Sequence, residues 1–417
     1  MIFVVNAGSS SIKVALFGAG DVPVLTGMVS EIGGASRLTV GEVTREAEAA
    51  THEAALALLL DGFAGAGHPL SRFEAAGHRV VHGGAALTAP VRVDGEVLAA
   101  IEAAAPLAPL HNPHNLSAIH ALMRLAPDLP QVACFDTAFH ATSPEVAWRY
   151  ALPPAEAARG LRRFGFHGIS YESMTLRLPE MLGYLPPRVL ALHLGNGASL
   201  SAIKDGRSVA TTMGYSPLDG LTMGTRTGAI DGNAVLRLAE IHGIDGAARI
   251  LNRESGLLGL GGHSDMRALR AAGTPEARFA IDHFAYWAIR HSGSMIAAMG
   301  GLDCVAFTGG IGENDRSMRA AICDGLGYMG VTVDPAANEA NAARIDRGGP
   351  AVVIVPAAEE AHIARATAAI TSAIGRISQP PWKFAHTTTS GRAAHQRGSR
   401  PSRHSRSAHQ PTSGAST

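Results

Sequence analysis

The sequence predicts an α/β protein with two duplicated domains that face each other across a cleft. Three observations support this fold class. Strand-like and helix-like segments alternate along most of the 417 residues, as is typical of α/β proteins. The chain is too long for one ordinary hydrophobic core. The strand–turn–strand pattern "FVVNAGSSSIKVALF" near the start has a counterpart in the second half, "ALHLGNGASLSAI", which indicates an internal duplication.

Beyond the opening pattern, seven segments are predicted to be strands because they are short, apolar and bounded by turn residues. They are Val22–Val29, Ala76–Val81, Gln131–Phe135, Val189–Leu194, Leu200–Ile203, Cys304–Thr308 and Ala351–Val355. Helices are predicted between them, at Thr51–Asp61, Val97–Ala104, Leu116–Leu125, Asn233–Ile241 and Ala277–Met299. The proline-flanked stretch Leu152–Arg163 is predicted to cross from one domain to the other.

Composition and charge narrow the classes of function. A hydrophobic fraction of 46% and a formal net charge of +0 describe a soluble globular protein, with no sign of a nucleic-acid or membrane surface. The three cysteines are far apart and form no CxxC pair, so we expect neither a disulfide framework nor a zinc site, and a reducing cytoplasm. We also expect no signal peptide or transmembrane helix.

The composition changes at about residue 378, where Thr, Ser, Arg, His, Gln and Pro replace the aliphatic residues. Such a segment buries too little apolar surface to offset the entropy lost on ordering. We therefore predict a disordered, basic, low-complexity tail over 377–417.

The turn of the opening hairpin is the first candidate binding element. It is rich in small polar residues and is followed by a lysine: Asn6, Gly8, Ser9, Ser10, Ser11 and Lys13. Small residues let backbone N–H groups approach a ligand, and phosphate suits this arrangement. An ordinary tight turn is the alternative. The second copy, where Gly197 and Ser199 are matched with Gly8 and Ser10, favours phosphate. No Walker GxxxxGK[ST] motif occurs, which disfavours a P-loop nucleotidase.

Four charged or titratable residues are candidates for chemistry. Arg79, in "GHRVVHGG", offers a fork of donors to a carboxylate or phosphoryl oxygen, or is a surface arginine. Asp136 ends the strand of "ACFDTAFH", where ligands bind in α/β sheets, and suits Mg²⁺ binding or a base as well as a helix N-cap. His167, in "RRFGFHGIS", is either functional or structural, and Arg226 lies in a glycine-rich loop.

Three further segments complete this inventory. "APLHNPHN" (Ala108–Asn115) is a polar loop between prolines, and "FTGGIGEN" (Phe307–Asn314) runs from a strand into a glycine turn that could support a nucleoside. A capping role for Asn115 and a plain strand–helix turn are the structural alternatives. Glu359 and Glu360 open a predicted helix, where acids complement the dipole. Together these features fit phosphoryl transfer, which depends on positioning and charge neutralisation.

Nine segments occur in an order that resembles the acetate kinase family, which includes propionate and butyrate kinases. They are "FVVNAGSSSIKVALF", "HRVVHGG", "LAPLHNPHN", "CFDTAFH", "FGFHGIS", "HLGNGASL", "MGTRTG", "SDMR" and "FTGGIGEN". The resemblance covers about residues 1–376. It implies an actin-like, ribonuclease H-like fold, a homodimer, and reversible, Mg²⁺-dependent (or Mn²⁺-dependent) transfer between ATP and a short carboxylate, giving ADP and an acyl phosphate. The enzyme class implied is a phosphotransferase with a carboxyl acceptor.

The resemblance also implies a division of labour along the chain. Residues 1–148 with 358–376 would form the acyl-substrate domain, and residues 149–357 the nucleotide-binding domain. The groups implied to act on the phosphoryl group and carboxylate are Asn6, Arg79, Asp136, His167 and Arg226. Those implied to line the substrate pocket are Arg79, Val81, Leu110, His111, Phe166 and Pro217.

The nucleotide and metal sites follow from the same resemblance. Residues implied near the phosphates or metal are Ser10, Lys13, His193, Leu194, Gly195, Asn196 and Gly197. Those implied to frame adenosine are Asp265, Met266, Arg267, Gly309, Gly310, Ile311, Gly312 and Asn314. Asn6 and Glu359 are implied at the metal. Direct in-line transfer is what the resemblance implies, although the residues alone leave a covalent intermediate open.

This chain departs from the family pattern at several positions. The family usually reads GFHGTSH, and here Ile169 and Tyr171 replace the Thr and the second His. Ala357 and Ala358 replace the usual Thr-Asn or Thr-Asp before the paired glutamates, which puts support of the metal in question. These departures motivate one alternative, a nucleotide-binding relative with weak or no activity. Propionate or butyrate kinase is another, and a sugar kinase is disfavoured because paired arginines suit a carboxylate.

Overall fold

Two β-sheets organise the chain, which a computed structural model describes over residues 1–377. Its strands are β1 (Ile2–Ala7), β2 (Ser11–Phe17), β3 (Pro23–Ser30), β4 (Arg37–Val40), β5 (Val43–Glu46), β6 (Ala75–Val80), β7 (Val91–Arg92), β8 (Gln131–Phe135), β9 (Arg188–Leu194), β10 (Ala198–Lys204), β11 (Arg207–Thr211), β12 (Cys304–Thr308) and β13 (Ala351–Ile354). The first sheet has the order β5-β4-β3-β2-β1-β6-β8-β7, and the second has the order β11-β10-β9-β12-β13.

Helices cover the sheets and connect their strands. They are α1 (His52–Gly65), α2 (Gly95–Ala103), α3 (Asn112–Leu125), α4 (Glu145–Trp148), α5 (Pro154–Ala157), α6 (Gly168–Leu182), α7 (Gly232–Arg249), α8 (Gly256–Gly261), α9 (Met266–Ala272), α10 (Pro275–Met299), α11 (Gly309–Asn314), α12 (Arg316–Gly325), α13 (Pro335–Glu339) and α14 (Glu359–Ile377). Helix α7 is interrupted at Gly243, whose φ is +72°. None of the helices described is both long enough and apolar enough to cross a membrane.

The two sheets repeat one arrangement of five strands, which confirms the predicted duplication. In the first sheet β3, β2 and β1 pair antiparallel in sequence, and β1, β6 and β8 are parallel. In the second sheet β11, β10 and β9 pair antiparallel, and β9, β12 and β13 are parallel. Strands β4, β5 and β7 extend only the first sheet. The mixed α/β fold class is therefore as predicted.

The match drawn between the two hairpins needs correction by position. Strand β1 ends at Ala7 and β9 ends at Leu194, so Gly8 is equivalent to Gly195 and not to Gly197. The paired ends of the first hairpin, Ala7 and Ile12, enclose four residues. Those of the second, Leu194 and Ala198, enclose three residues. Gly8 is the first residue of its turn and Gly197 is the third residue of its own, so the sequence match is displaced by two residues.

The predicted strands and helices all exist, with ends moved by a few residues, and further elements were not predicted. Strand β5 has four exposed residues, and the four residues of β4 include only one buried side chain, Leu38, so both lack the apolar signal of a buried strand. Helix α6 was also missed, because Gly168 and the internal Pro179 are poor helix formers. The tail predicted for 377–417 lies outside the described residues, except for Ile377, which ends α14.

Two helices lie against the sheets next to the site. Helix α14 packs on the first sheet, where Ile363 and Ala364 join one apolar cluster with Ile2 and Val4. A Cβ at Gly77 of β6 would lie 2.3 Å from the hydroxyl of Thr367, so only glycine permits this close approach. Helix α6 contacts both halves, since Ile169 belongs to that cluster and Tyr171, Met174 and Leu178 belong to a cluster of the second sheet.

Candidate active site

Arg79 and Asp136 form a buried ion pair at the carboxyl ends of two neighbouring parallel strands. The Arg79 Nε donates to both carboxylate oxygens of Asp136 at 3.2 Å, and its Nη2 donates to Oδ2 at 2.7 Å. The side chain of Asp136 is 2% exposed and that of Arg79 is 22% exposed. Burial raises the pKa of Asp136, and the adjacent guanidinium offsets part of that rise. Both Asp136 oxygens are occupied, so this carboxylate orients Arg79.

The same aspartate fixes the start of helix α6. The backbone carbonyl of Asp136 accepts a hydrogen bond from the N–H of Gly168 at 2.7 Å. A Cβ at Gly168 would lie 2.3 Å from that carbonyl oxygen, so a larger residue would separate the two segments. His167 precedes Gly168 with a left-handed φ of +59°. This conformation is uncommon for a residue other than glycine, and it places His167 beside the ion pair.

His167 lies against a second histidine on the hairpin of the second half. Its ring stacks on His193, with centroids 4.1 Å apart and planes 19° apart. The Nδ1 of His167 is 2.9 Å from the hydroxyl of Ser199, and the Nδ1 of His193 is 2.9 Å from the hydroxyl of Ser170. Hydroxyl groups therefore hold both rings.

The Nε2 of His167 and the guanidinium of Arg226 converge on the turn of the second hairpin. A Cβ placed on Gly197 would lie 3.4 Å from His167 Nε2 and 3.8 Å from Arg226 Nη1. Arg226 is partly buried, and its Nη1 donates to the carbonyl of Pro217 at 3.3 Å. Within residues 1–377 Arg226 forms no salt bridge. The site therefore contains one paired and one unpaired guanidinium.

The histidines of this region are neutral at physiological pH. Burial lowers the pKa of His193 to about 4, and the positive charge of Arg79 adds to this effect. The pKa of His111 is also lowered to about 4, first by burial and then by the charges of Arg226 and Arg79. The pKa of His167 lies well below its ordinary value for the same reasons. These rings are hydrogen-bonding groups, and the arginines supply the positive charge.

The asparagines of "APLHNPHN" have a structural function at the ends of β1 and β6. The Asn115 side chain accepts from Val81 N–H at 3.0 Å and donates to the carbonyl of Ala7 at 2.9 Å. Asn112 pairs with both backbone groups of His82, at 3.0 and 2.9 Å. A cap at Asn115 was the structural alternative for this loop; the side chain instead ties the first hairpin to the strand that carries Arg79.

One cavity of about 570 Å³ lies beside Arg226 and is lined by segments of both halves. Its lining residues are Pro106, Leu107, Ala108, Pro109, Leu110, His111, Tyr215, Ser216, Pro217, Arg226, Asp245, Ala248, Arg249, Asn252 and Arg253. The predicted Leu110, His111 and Pro217 are therefore at this cavity. The predicted Val81 and Phe166 do not line it: Val81 is partly buried, and Phe166 lies in the core of the second half.

A second cavity, of about 680 Å³, is formed by the glycine turns of the second half. Its lining residues are Gly195, Asn196, Ser264, Asp265, Met266, Arg267, Arg270, Gly310, Ile311, Asn314, Asp315, Arg316 and Ser317. Eight of the residues predicted for the nucleotide are among them. Asp265 caps α9 and pairs with Arg267 at 3.2 Å. A cavity of this size with bare backbone suits a nucleoside.

Other predicted nucleotide residues lie elsewhere or contribute backbone only. Lys13 lines a different cavity, of about 400 Å³, together with Asp21 and Glu360, and Ser10 is exposed in the first turn. The remaining residues are largely inaccessible: Leu194, Gly309 and Gly312 are buried.

The metal prediction rests on Asn6 and Glu359. No group of three or more His, Cys, Asp or Glu suited to a metal ion occurs within residues 1–377. Glu359 is partly buried, forms no ion pair with any described residue, and acts electrostatically on both Arg79 and Asp136. A partly buried carboxylate with no ion-pair partner among the described residues can be one of the few protein ligands of a divalent ion that otherwise binds substrate phosphates and water.

The sequence did not indicate several residues of the site. Arg270 and Asp315 pair at 2.9 Å on the wall of the nucleotide cavity. Arg270 lies three residues after Arg267 on α9, and this helical spacing could have identified it. Tyr171 is visible in the sequence as a departure from the family pattern, and Ser199 as a match to Ser10. Their contact with His167 through hydroxyl groups carries no comparable signal, because it joins a helix to a distant strand.

Comparisons with known proteins identify the family of this chain. The model of the acetokinase family matches residues 1–365. An acetate kinase of Rhodopseudomonas palustris is 47% identical over 358 residues, which cover 81% of this chain and 89% of the relative. An acetate kinase of Methylocella silvestris is 43% identical over 394 residues, covering 88% and 97%.

Solved structures extend the likeness to the fold. The acetate kinase of Porphyromonas gingivalis has a TM-score of 0.83 at 36% identity, covering 88% of this chain and 99% of that one. A propionate kinase from Francisella tularensis has a TM-score of 0.85 at 34% identity, with the same coverage. The family implies a nucleotide substrate and a divalent metal ion. With this family match and this identity over most of its length, the chain belongs to the acetokinase family.

Proposed function

We propose that this chain is an acetate kinase, a phosphotransferase with a carboxyl acceptor that converts ATP and acetate reversibly to ADP and acetyl phosphate. One observation carries the proposal. The unpaired guanidinium of Arg226 and the Nε2 of His167 meet at Gly197, between an apolar cavity and a glycine-lined cavity. Arg79, which is held by its ion pair with Asp136, contributes to the same site from the first half.

The mechanism follows from charge. Acetate and the ATP phosphates are anions, so they repel each other unless cations lie between them. Arg226 supplies one unpaired positive charge. Asp136 takes the Nε and Nη2 atoms of Arg79, which leaves the Nη1 side of that guanidinium for a carboxylate or phosphoryl oxygen. His167 donates a hydrogen bond without adding charge. We propose direct in-line transfer between the two cavities.

The metal is proposed to be Mg²⁺ or Mn²⁺, held by Asn6 and Glu359 beside the phosphates. When bound, such an ion neutralises charge on the transferring group and its leaving oxygen. The departure at Ala357 and Ala358 does not remove support from this segment. The N–H of Ala357 donates to the Glu313 carboxylate at 3.0 Å, and a backbone group makes this bond whatever the side chain.

The direct test is ADP release in a coupled assay with acetate, propionate and butyrate, with and without Mg²⁺. We expect turnover of acetate that chelation of the metal abolishes. No turnover of any of the three acids by folded protein would overturn the proposal. Nucleotide binding without turnover would instead identify a non-catalytic relative.

Propionate or butyrate is a second candidate substrate. The cavity beside Arg226 measures about 570 Å³, which is more than the two carbons of acetate occupy. The likeness to the Francisella tularensis propionate kinase supports the same alternative. A kcat/KM for propionate or butyrate above that for acetate would establish it.

We also propose a homodimer in the cytoplasm. Helix α7 is largely uncovered, with Ile241 56% and Ile244 81% exposed, and Phe279 and Tyr286 of α10 are 56% and 62% exposed. Exposed apolar residues of this kind mark an interface, and a second copy of the chain would cover them. Sedimentation of Ile244→Glu is expected to show monomers. The three cysteines are free and buried, which suits a reducing compartment.

The domain assignment keeps its predicted boundaries as a proposal. Residues 1–148 with 358–376 would bind the acyl substrate, and residues 149–357 would bind the nucleotide. The return of α14 to the first sheet supports its inclusion with the N-terminal residues. The glycine-lined cavity, formed entirely within 195–317, supports the nucleotide assignment.

A further inference from the structure

Tyr171 stands at the end of a buried chain of hydroxyl groups that leads to His167. Its phenolic oxygen is 2.6 Å from the Oγ of Ser199, and that Oγ is 2.9 Å from the Nδ1 of His167. Tyr171 and Ser199 are both 0% exposed, so water does not satisfy these groups. This series of hydrogen bonds links α6 to β10 and ends at the His167 ring, which faces Gly197.

The direction in which each hydrogen bond of this series is donated follows from counting donors and acceptors. Among the described residues, Ser199 is the one side chain hydrogen-bonded to the Tyr171 hydroxyl. The Tyr171 hydrogen therefore points to Ser199, since a buried hydroxyl hydrogen without an acceptor is costly. The hydrogen of Ser199 then points to the Nδ1 of His167.

The reverse direction leaves a group unsatisfied. If Nδ1 of His167 carried a hydrogen, it would donate to Ser199, and Ser199 would donate to Tyr171. The buried Tyr171 hydrogen would then have no acceptor among the described residues. The neutral ring instead carries its hydrogen on Nε2, the atom that lies beside Gly197 and Arg226.

We propose that Tyr171, acting through Ser199, is a positioning residue that holds His167 as the Nε2–H tautomer, so that His167 donates a hydrogen bond into the phosphoryl site. The ring of Tyr171 packs with Met174 and Leu178, and its hydroxyl performs the positioning. The catalytic consequence rests on the proposed function, whereas the tautomer does not.

The kinetic test is a double-mutant cycle with Tyr171→Phe and Ser199→Ala, both of which keep the packing nearly intact. We expect each variant to lower kcat about tenfold, with KM for acetate and ATP within about twofold, as for the loss of one hydrogen bond. The double variant is expected to be no slower than the slower single variant, because both act along one chain. Tyr184→Phe, at a 53% exposed position, is the matched control.

A merely structural role gives a different pattern. Losses that multiply in the double variant, or a wild-type kcat for Tyr171→Phe, would overturn the proposal. A lower melting temperature with unchanged kcat would also do so.

The spectroscopic test needs no substrate. In ¹⁵N-histidine-labelled protein, with the His167 signals assigned by comparison with His167→Gln, we expect the Nε2–H pattern, and a mixture of tautomers in Ser199→Ala. An Nδ1–H pattern in the unsubstituted protein would overturn the proposal. If that protein phosphorylates no carboxylate, the proposed function fails, and the nitrogen spectrum alone then decides this inference.

Discussion

The two halves of the molecule share five strands in the same order but present different chemistry at the strand ends. In the first half, Arg79 and Asp136 follow neighbouring parallel strands and neutralise each other in a buried pair. In the second half, the strand registers place Thr308 and Ala357 at the positions equivalent to Arg79 and Asp136, and the turns carry glycines. Arg226 comes from a loop, without a salt bridge among the described residues. The same topology therefore gives the first half an arginine fixed in an ion pair, Arg79. It gives the second half glycine turns beside Arg226, which has no salt bridge among the described residues.

The difference predicts that the two arginines contribute differently to stability. We expect Arg79→Ala and Arg226→Ala each to lower kcat/KM for acetate about 10³-fold, as for loss of a key donor to the transition state. Arg79→Ala is also expected to lower the free energy of unfolding by about 3 kcal/mol, because Asp136 is left buried without its partner. Arg226→Ala should change it by less than about 0.5 kcal/mol. Assays and urea denaturation measure both.

Two controls sharpen this prediction. Arg92→Ala removes an exposed arginine of the first sheet and should leave activity and stability unchanged. Adding Asp136→Asn to Arg79→Ala should recover much of the lost stability but none of the activity. Equal stability losses for the two arginine variants would contradict the comparison.

The second prediction contrasts the two hairpin turns. A methyl group on Gly197 makes ordinary contact with His167 and Arg226, but it occupies the space towards which both point. We expect Gly197→Ala to fold and to lower kcat/KM about tenfold or more, because a small displacement of reacting groups is costly. A Cβ on Gly8 meets only Ser11, at 3.5 Å and beyond. Gly8→Ala, in the turn of the first hairpin, is the control in the same assay. An equal loss of kcat/KM in this variant would show that the first turn is as close to the reacting groups as the second.

The third prediction concerns Glu313, which joins the nucleotide turn to the segment before Glu359. Its Oε1 accepts hydrogen bonds from the N–H groups of Gly309 and Ala357, both at 3.0 Å. We expect Glu313→Ala to raise KM for ATP about fivefold, with KM for acetate unchanged, because two backbone donors lose their acceptor.

The neutral Glu313→Gln keeps an acceptor and should restore most of the affinity. Calorimetric titration with ADP checks binding without turnover. Glu276→Ala, an exposed position, is the control. A rise in KM for both substrates would argue against a role confined to the nucleotide side.

The last prediction concerns pH, and it bears on stability and not on catalysis. Burial lowers the pKa of His78, His82 and His140 to about 4, so the native state resists protonation between pH 6.5 and 4. The unfolded chain binds protons in that range, and the free energy of unfolding therefore falls as the pH falls. We expect a loss of several kcal/mol between pH 7 and pH 5, about 2 kcal/mol for each of the three histidines. Urea denaturation at several pH values measures it; stability that is constant over this range would contradict it.

Two of these histidines, His78 in β6 and His82 just after it, belong to the first half, so hydrogen exchange can localise their effect. Amides of β6 and β8 should lose more protection at pH 5 than those of β12 and β13. Equal losses in both halves would indicate global unfolding alone.

The sequence indicated the two hairpins, the parallel strands and the functional residues at their ends, because these depend on local patterns of apolar and small residues. It did not indicate how the functional residues are held. Arg79 and Asp136 are 57 residues apart in the chain, and Ser199 lies 28 residues beyond Tyr171. Their pairing depends on strand order and helix packing, which no local pattern records. The same holds for the contact of the Ala357 N–H with Glu313, which lies 44 residues earlier in the chain.

The placement of α6 and α14 has a mechanical consequence. The chain leaves the first sheet after β8 and reaches the second sheet through residues 138–148, which contact Ser208 of β11, and it returns at α14. His167 and Glu359 lie near these two crossings. When one half swings relative to the other, atoms near the pivot travel least and those at the rim travel farthest. With this arrangement, the cleft between the two halves could open to admit large ligands while His167 and Glu359, near the pivot, keep their spacing.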